Sequence, residues 1–129
     1  MNEMKRVLII EDDPFIRELE KALFEIKGYT VFEAGDAKSG LRIAKDENPD
    51  VIVIDFQLPK MNGIKAIQLF KNDPDTKNIP CVIVTASATE EQKELLKSSD
   101  ACGYITKPIN TRTFVEEVIK LSREHRSNV

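Results

Sequence analysis

Short apolar runs rich in Val and Ile alternate along this chain with longer segments whose apolar residues recur at helical spacing. Runs of that kind, nearly bare of polar positions, suit strands buried on both faces, so the pattern predicts repeated strand–helix units around a parallel sheet. The predicted order is βαβαβαβαβα, an α/β domain with a doubly wound five-stranded parallel sheet. Strands are expected over Val7 to Ile10, Thr30 to Glu33, Val51 to Ile54, Val82 to Val84 and Gly103 to Ile105. The second is the least apolar, which places it at an edge of the sheet.

Helix starts are marked by capping chemistry. Asp13 can accept from the free N–H groups of a first helix while Pro14 takes its first position, and Ile16, Leu19, Leu23 and Ile26 then form one face, with Gly28 as the stop. Asp36 can cap a second helix with Leu41 and Ala44 inward, and Asn62 a third with Ile64, Ile67 and Phe70 inward. Thr89 and Gln92 have capping-box spacing for a fourth, whose inward residues, Leu95 and Leu96, are few, so it should be the most loosely held. A fifth, from about Thr111, buries Phe114, Val118 and Leu121 before a polar tail, Ser122 to Val129.

Composition narrows the class. A chain of 129 residues, 41% apolar and 32% charged, can bury one core, and a single domain over residues 1–129 is expected. The longest apolar runs, Val7 to Ile10 and Val51 to Ile54, are far short of the roughly 20 residues needed to cross a bilayer, and the polar start fits no targeting segment, so a cytoplasmic address is expected. A net charge of −3 without a basic stripe argues against nucleic acid as partner. Cys81 and Cys102 read as reduced, small hydrophobes, and the lone His125 as solvated surface without the further ligands a zinc site needs.

In an open parallel sheet, ligands bind beyond the carboxyl ends of the strands, where the strand order reverses. A 2-1-3-4-5 order puts that point between strands one and three. Past the strand ends stand Glu11 and Asp12, Asp55, Thr85 and Lys107, so four strand ends converge on one patch. Carboxylates held together either rise in pKa or are neutralised by a cation, and Mg²⁺ favours oxygen ligands, with Asp12 and Asp55 as candidate direct ligands. Beside a metal, Asp55 can act as a nucleophile toward phosphorus and form an acyl phosphate. Lys107 supplies a compact positive charge, and the Thr85 hydroxyl can donate to a phosphoryl oxygen. Singly each has an ordinary reading: Lys107 as a turn residue before Pro108, Thr85 as a strand-end hydroxyl, Glu11 and Asp12 as a solvated loop.

The run Asp55-Phe56-Gln57-Leu58-Pro59-Lys60-Met61-Asn62-Gly63 closely resembles the phosphoacceptor segment of bacterial response-regulator receiver domains, and the resemblance covers nearly the whole chain. It includes Ile9-Ile10-Glu11-Asp12-Asp13, Thr85-Ala86 and Tyr104-Ile105-Thr106-Lys107-Pro108, in the family's order and spacing. The resemblance implies the (βα)5 flavodoxin-like receiver fold of the stand-alone, chemotaxis-regulator-like type. It implies phosphoryl transfer to Asp55 from a histidine kinase or histidine phosphotransfer protein, with Mg²⁺ bound by Asp12, Asp55, the Gln57 carbonyl and, through water, Glu11. It further implies a cis bond between Lys107 and Pro108, a coupled switch pair of Thr85 and Tyr104, and roles for Gln57 and Ser87 in phosphate lifetime.

Phosphate can alter a distant face only by favouring one of two pre-existing states. The sparse core of the fourth helix suits such an element, so the fourth helix, fifth strand and fifth helix are the expected output surface for a downstream protein target. No output domain is expected after Ser122, and self-phosphorylation and self-dephosphorylation are the only catalysis expected. The family carries glycine where this chain has Asp100, at an expected left-handed position. The alternatives are a Mg²⁺-dependent aspartyl phosphohydrolase, a flavodoxin-like cofactor binder, and a degenerate, phosphate-independent binding module. The phosphohydrolases carry Asp-x-Asp where this chain reads Glu11-Asp12-Asp13, and Glu11 and Asp12 would repel a cofactor phosphate lacking a metal.

Overall fold

A computed structural model of the chain describes residues 5–87 and 89–127, with the backbone alone for 125–127. The expectation for the His125 side chain therefore lies outside the described residues. The elements are β1 (Arg6–Ile10), α1 (Pro14–Ile26), β2 (Thr30–Ala34), α2 (Ala37–Glu47), β3 (Val51–Asp55), β4 (Gln57–Leu58), β5 (Met61–Asn62), α3 (Gly63–Lys71), β6 (Cys81–Thr85), α4 (Glu90–Lys97), β7 (Gly103–Thr106) and α5 (Phe114–Ser127). Five strands form one sheet in the order β2-β1-β3-β6-β7, every pairing parallel, with β2 at an edge as its composition predicts.

Side chains alternate across this sheet because successive residues of a strand point to opposite faces. Leu8, Ile10, Ile52, Ile54, Cys81 and Ile83 pack with Ala37 and Ala44 of α2, Ala66, Ile67 and Phe70 of α3, and Leu96 of α4. Val7, Ile9, Val51, Val53, Val82, Val84 and Ile105 pack on the other side with Phe24 of α1 and Phe114, Val115, Val118 and Ile119 of α5. There Phe24 meets Tyr29 and Phe114 edge-on, with ring centroids 5.3 and 5.8 Å apart. A buried phenylalanine is worth roughly 1.5–3 kcal/mol of transfer free energy, so this cluster is a main clasp between α1 and α5.

The predicted caps form. Asp13 Oδ1 accepts from the N–H groups of Phe15 and Ile16, Asp36 from Ser39, Asn62 from Lys65, and Thr89 Oγ1 from Gln92. Several inward faces differ from expectation. Ile26 is 78% exposed, because α1 ends there and the chain turns away through Gly28 at φ +90°. The helix instead buries Phe24 and, unexpectedly, Glu20. On α4, Leu96 is 3% exposed and Leu95 48%, so a single leucine anchors that helix. The tail expected from Ser122 is still helix: α5 runs to Ser127, and Ser122 is buried with its hydroxyl donating to Ile119 O at 2.7 Å.

Asp100 has no left-handed backbone, since the positive-φ residues other than glycine are Asn48 and Lys60 among the described residues. Side chains do that work: the hydroxyls of Ser98 and Ser99 donate to Leu95 O and Leu96 O, and Ser99 Oγ accepts from Ala101 N, which satisfies the helix end. Asn48, at φ 50°, is the left-handed cap of α2. Cys81 and Cys102 carry free thiols, and burial pushes them up to about 12 and about 11, so both are poor nucleophiles. Among the described residues, no helix is long and apolar enough to cross a membrane.

Candidate functional site

Strand register aligns the chemistry. Ile10 lies opposite Ile54, Asp55 opposite Val84, and Thr85 opposite Thr106, so Glu11 and Asp55 share one level, with Thr85 one residue and Lys107 two residues beyond it. Asp55 and Thr85 are the last residues of their strands rather than the first beyond them. This keeps their backbones in the sheet: Phe56 N donates to Val84 O at 2.8 Å, and Lys107 N donates to Thr85 O at 2.7 Å.

Four predicted residues form one charged cluster. One carboxylate oxygen from each of Glu11, Asp12 and Asp55 lies within 4.8 Å of the others. Lys107 Nζ is 3.1 Å from Asp55 Oδ1 and 3.2 Å from Glu11 Oε1, bridging the two least exposed acids. Glu11 is almost fully buried and Asp55 is 8% exposed, while Asp12 faces solvent. Burial, followed by repulsion from Asp55, raises the Glu11 pKa despite the hydrogen bond from Asp13 N and the charge of Lys107. Burial also disfavours the Lys107 ammonium, but the hydrogen bond and charge of Asp55, then of Glu11, outweigh it and leave its pKa raised. Lys107 is thus held as a cation, and the Lys107–Pro108 peptide bond is cis, as the resemblance implies.

Thr85 is fully buried, with its hydroxyl donating to Ser87 O at 3.3 Å and accepting from Ser87 N at 3.2 Å. It lines a cleft of about 160 Å³ together with Asp55, Phe56, Gln57, Ala86, Ser87, Gln92 and Lys107. Tyr104 lies elsewhere: it pairs with Ile83 in the sheet and packs half-buried against the core on the α4 side. Gln57 belongs to an unpredicted antiparallel hairpin, β4 with β5, whose turn is Pro59-Lys60 with Lys60 at φ 73°. Pro59 favours the first corner of a type II turn, but Lys60 stands where glycine or asparagine would mark the left-handed second corner, so the sequence carried only half of the signal.

Three further residues support the site. Arg17 Nη1 donates to Glu11 O at 2.7 Å while its Nε reaches Glu33 Oε1 at 3.4 Å, tying the acidic loop to β2. Glu20 stands close enough to Glu11, Lys107 and Asp55 to feel their charges. Gly63 donates its N–H to Phe56 O at 2.6 Å, and a Cβ there would lie 2.9 Å from Asp55 O and 3.1 Å from Phe56 Cα. Those are backbone atoms that cannot swing aside. Gly63→Ala should therefore destabilise the domain by about 1–3 kcal/mol in urea unfolding, and a change below about 0.5 kcal/mol would show that the turn relaxes freely.

A model of the response regulator receiver domain matches residues 7–119 of the chain. The chain belongs to this family. The polar-differentiation response regulator DivK of Brucella ovis is 32% identical over 114 residues, covering 88% of this chain and 93% of that one. The chemotaxis response regulator CheY4 of Vibrio cholerae superposes with a TM-score of 0.84 at 27% identity, over 92% of this chain and 99% of that one. A CheY-like receiver domain protein of Methanospirillum hungatei gives 0.82 at 29% identity, over 98% and 100%. The receiver domain described here is thus a signalling domain of two-component systems, with the flavodoxin-like fold of its structural relatives.

Proposed function

We propose that this receiver domain accepts a phosphoryl group on Asp55 from a histidine kinase or histidine phosphotransfer protein and passes the change to a downstream protein. The observation that carries the reading is Lys107 Nζ 3.1 Å from Asp55 Oδ1, beside three acids whose oxygens lie within 4.8 Å. An all-oxygen, mostly carboxylate set fits Mg²⁺ rather than a softer metal. Asp12, Asp55 and the Gln57 carbonyl would hold it, with Glu11 acting through water. A bound Mg²⁺ would offset the negative charge gathered between the carboxylates and the incoming phosphoryl oxygens.

In the transfer, an Asp55 carboxylate oxygen forms the bond to phosphorus as the bond to the donor breaks, its electron pair leaving with the donor. Lys107 is already placed and protonated to balance charge on the phosphoryl oxygens. The Thr85 hydroxyl is engaged with Ser87, and swinging it toward the phosphoryl group requires that local turn to open. Tyr104, half-buried between Ile83 and the α4 side, can take up space so released. Because Leu96 alone anchors α4 in the core, shifting that helix disturbs little buried surface, and α4, β7 and α5 form the output surface. A shift from mostly inactive to mostly active needs the phosphorylated group to favour one state by several kcal/mol, about 5.5 for a swing from 1:99 to 99:1.

Intact mass after incubation with acetyl phosphate and Mg²⁺ tests the reading. One labile phosphoryl group should be gained, and none once a chelator has removed the metal. No modification under either condition would leave a phosphate-independent binding module as the function.

A further inference from the structure

Gln92 lines the cleft but has no part in the transfer described above. Gln92 stands in the first turn of α4, where its N–H donates to Thr89 Oγ1 at 3.2 Å, so the cap sets its backbone. Its half-buried side chain lines the cleft shared by Asp55, Gln57, Thr85, Ser87 and Lys107. The neighbouring polar groups are engaged or exposed. Lys107 is held by Asp55 and Glu11, Thr85 by the Ser87 backbone, and the side chains of Gln57 and Ser87 face solvent. The Gln92 carboxamide is drawn partly out of water, yet it makes no hydrogen bond to any described residue.

We propose that Gln92 orients the water that removes the phosphoryl group from Asp55, and so sets how long the signal lasts. The inference rests on the phosphoacceptor reading of Asp55. Asp55 is almost wholly buried, and Gly63 stands against its backbone, so a phosphorus atom attached to its carboxylate projects into the cleft. Water attacking in line must then approach from the cleft side, which Gln92 helps to wall. A carboxamide carries one acceptor and two donors, so it can accept from that water while donating to a phosphoryl oxygen. Orienting an attacking water is the part a glutamine plays in other phosphoryl-transfer sites. The water oxygen bonds to phosphorus, and the bond from phosphorus to Asp55 breaks with its electron pair returning to the carboxylate. A water proton passes to solvent, and inorganic phosphate leaves. Because Gln92 rides on α4, movement of the output surface changes the same lifetime.

The test labels the full chain with acetyl phosphate and Mg²⁺, removes the donor, and follows loss of the phosphoryl group by intact mass. Gln92→Met keeps the length of the side chain without its polar atoms, and Gln92→Ala is a second variant suited to a helix position. Both should lose the group about tenfold more slowly than wild type, the worth of one well-placed hydrogen bond. Their urea midpoints should be unchanged, which a merely structural role would not allow. Wild-type chain that takes no label would overturn the phosphoacceptor reading itself. Labelled variants that decay at the wild-type rate or faster would overturn the role of Gln92 alone.

Discussion

Asp55→Asn should take no phosphoryl group from acetyl phosphate under conditions that label the wild-type chain. The change replaces a nucleophilic carboxylate oxygen by an amide whose electrons are delocalised toward its carbonyl, and loss of a covalent nucleophile slows such a step by on the order of 10³-fold or more. The fold should persist, because asparagine is nearly isosteric and Lys107 keeps Glu11 as a partner at 3.2 Å. Unfolding of the variant in urea checks that point independently. Intact mass, followed by peptide mapping, distinguishes the outcomes. A phosphoryl group that survives on another carboxylate, such as Asp12, would show that the acceptor has been wrongly assigned.

Glu20→Leu should stabilise the domain, and by more at about pH 8 than at about pH 5. Glu20 is 2% exposed, and its Oε2 has no hydrogen-bond partner. Burial, then repulsion from Glu11, lifts its pKa from 4.5 to about 8. The folded chain therefore binds this proton more tightly than the unfolded chain. Stability is fullest below about 4.5 and falls as pH rises toward about 8, by on the order of 4 kcal/mol over the window. Leucine removes that titration and puts an apolar side chain of similar length at a buried position where the carboxyl oxygen has no partner. Since Glu11 is also raised, a shallower fall in the same direction should remain. Glu20→Gln should flatten the pH profile without the gain at low pH, because its amide also needs buried partners. Urea midpoints across the pH range would contradict the argument if wild type and Glu20→Leu fell in parallel.

Glu20 marks the limit of what periodicity could reveal. A pattern of apolar residues on α1 assigned Ile16, Leu19, Leu23 and Ile26 to the core and had no means of placing a glutamate there. The structure turns Ile26 outward and Glu20 inward, because the inward stripe is set by where the helix lies on β1 and where its last turn ends, neither of which is local. On α4 the same limit applies to Leu95 and Leu96, adjacent residues that period alone could not separate. Ser122 read as tail because it is polar, yet its hydroxyl is satisfied within its own helix and could be buried.

The site was more legible than the packing. Its residues stand at strand ends or in short motifs, where spacing along the chain translates directly into spacing in a parallel sheet. Glu11, Asp12, Asp55, Thr85 and Lys107 could therefore be gathered from the sequence, and the resemblance extended the set to Gln57 and Tyr104. Their partners were another matter. That Lys107 bridges Asp55 and Glu11, that Thr85 is tied to Ser87, that Arg17 braces the acidic loop and that Gln92 reaches the cleft all depend on separations of a few ångströms between elements far apart in sequence. Alternating apolar runs, capping residues and strand-end acids determined the succession of strands and helices, the helix starts and the positions of the acids, because each acts over a few neighbouring residues. Tertiary packing alone decided which carboxyl is buried without a partner, which leucine anchors α4 and which amide faces the cleft, because those follow from how whole helices settle on the sheet.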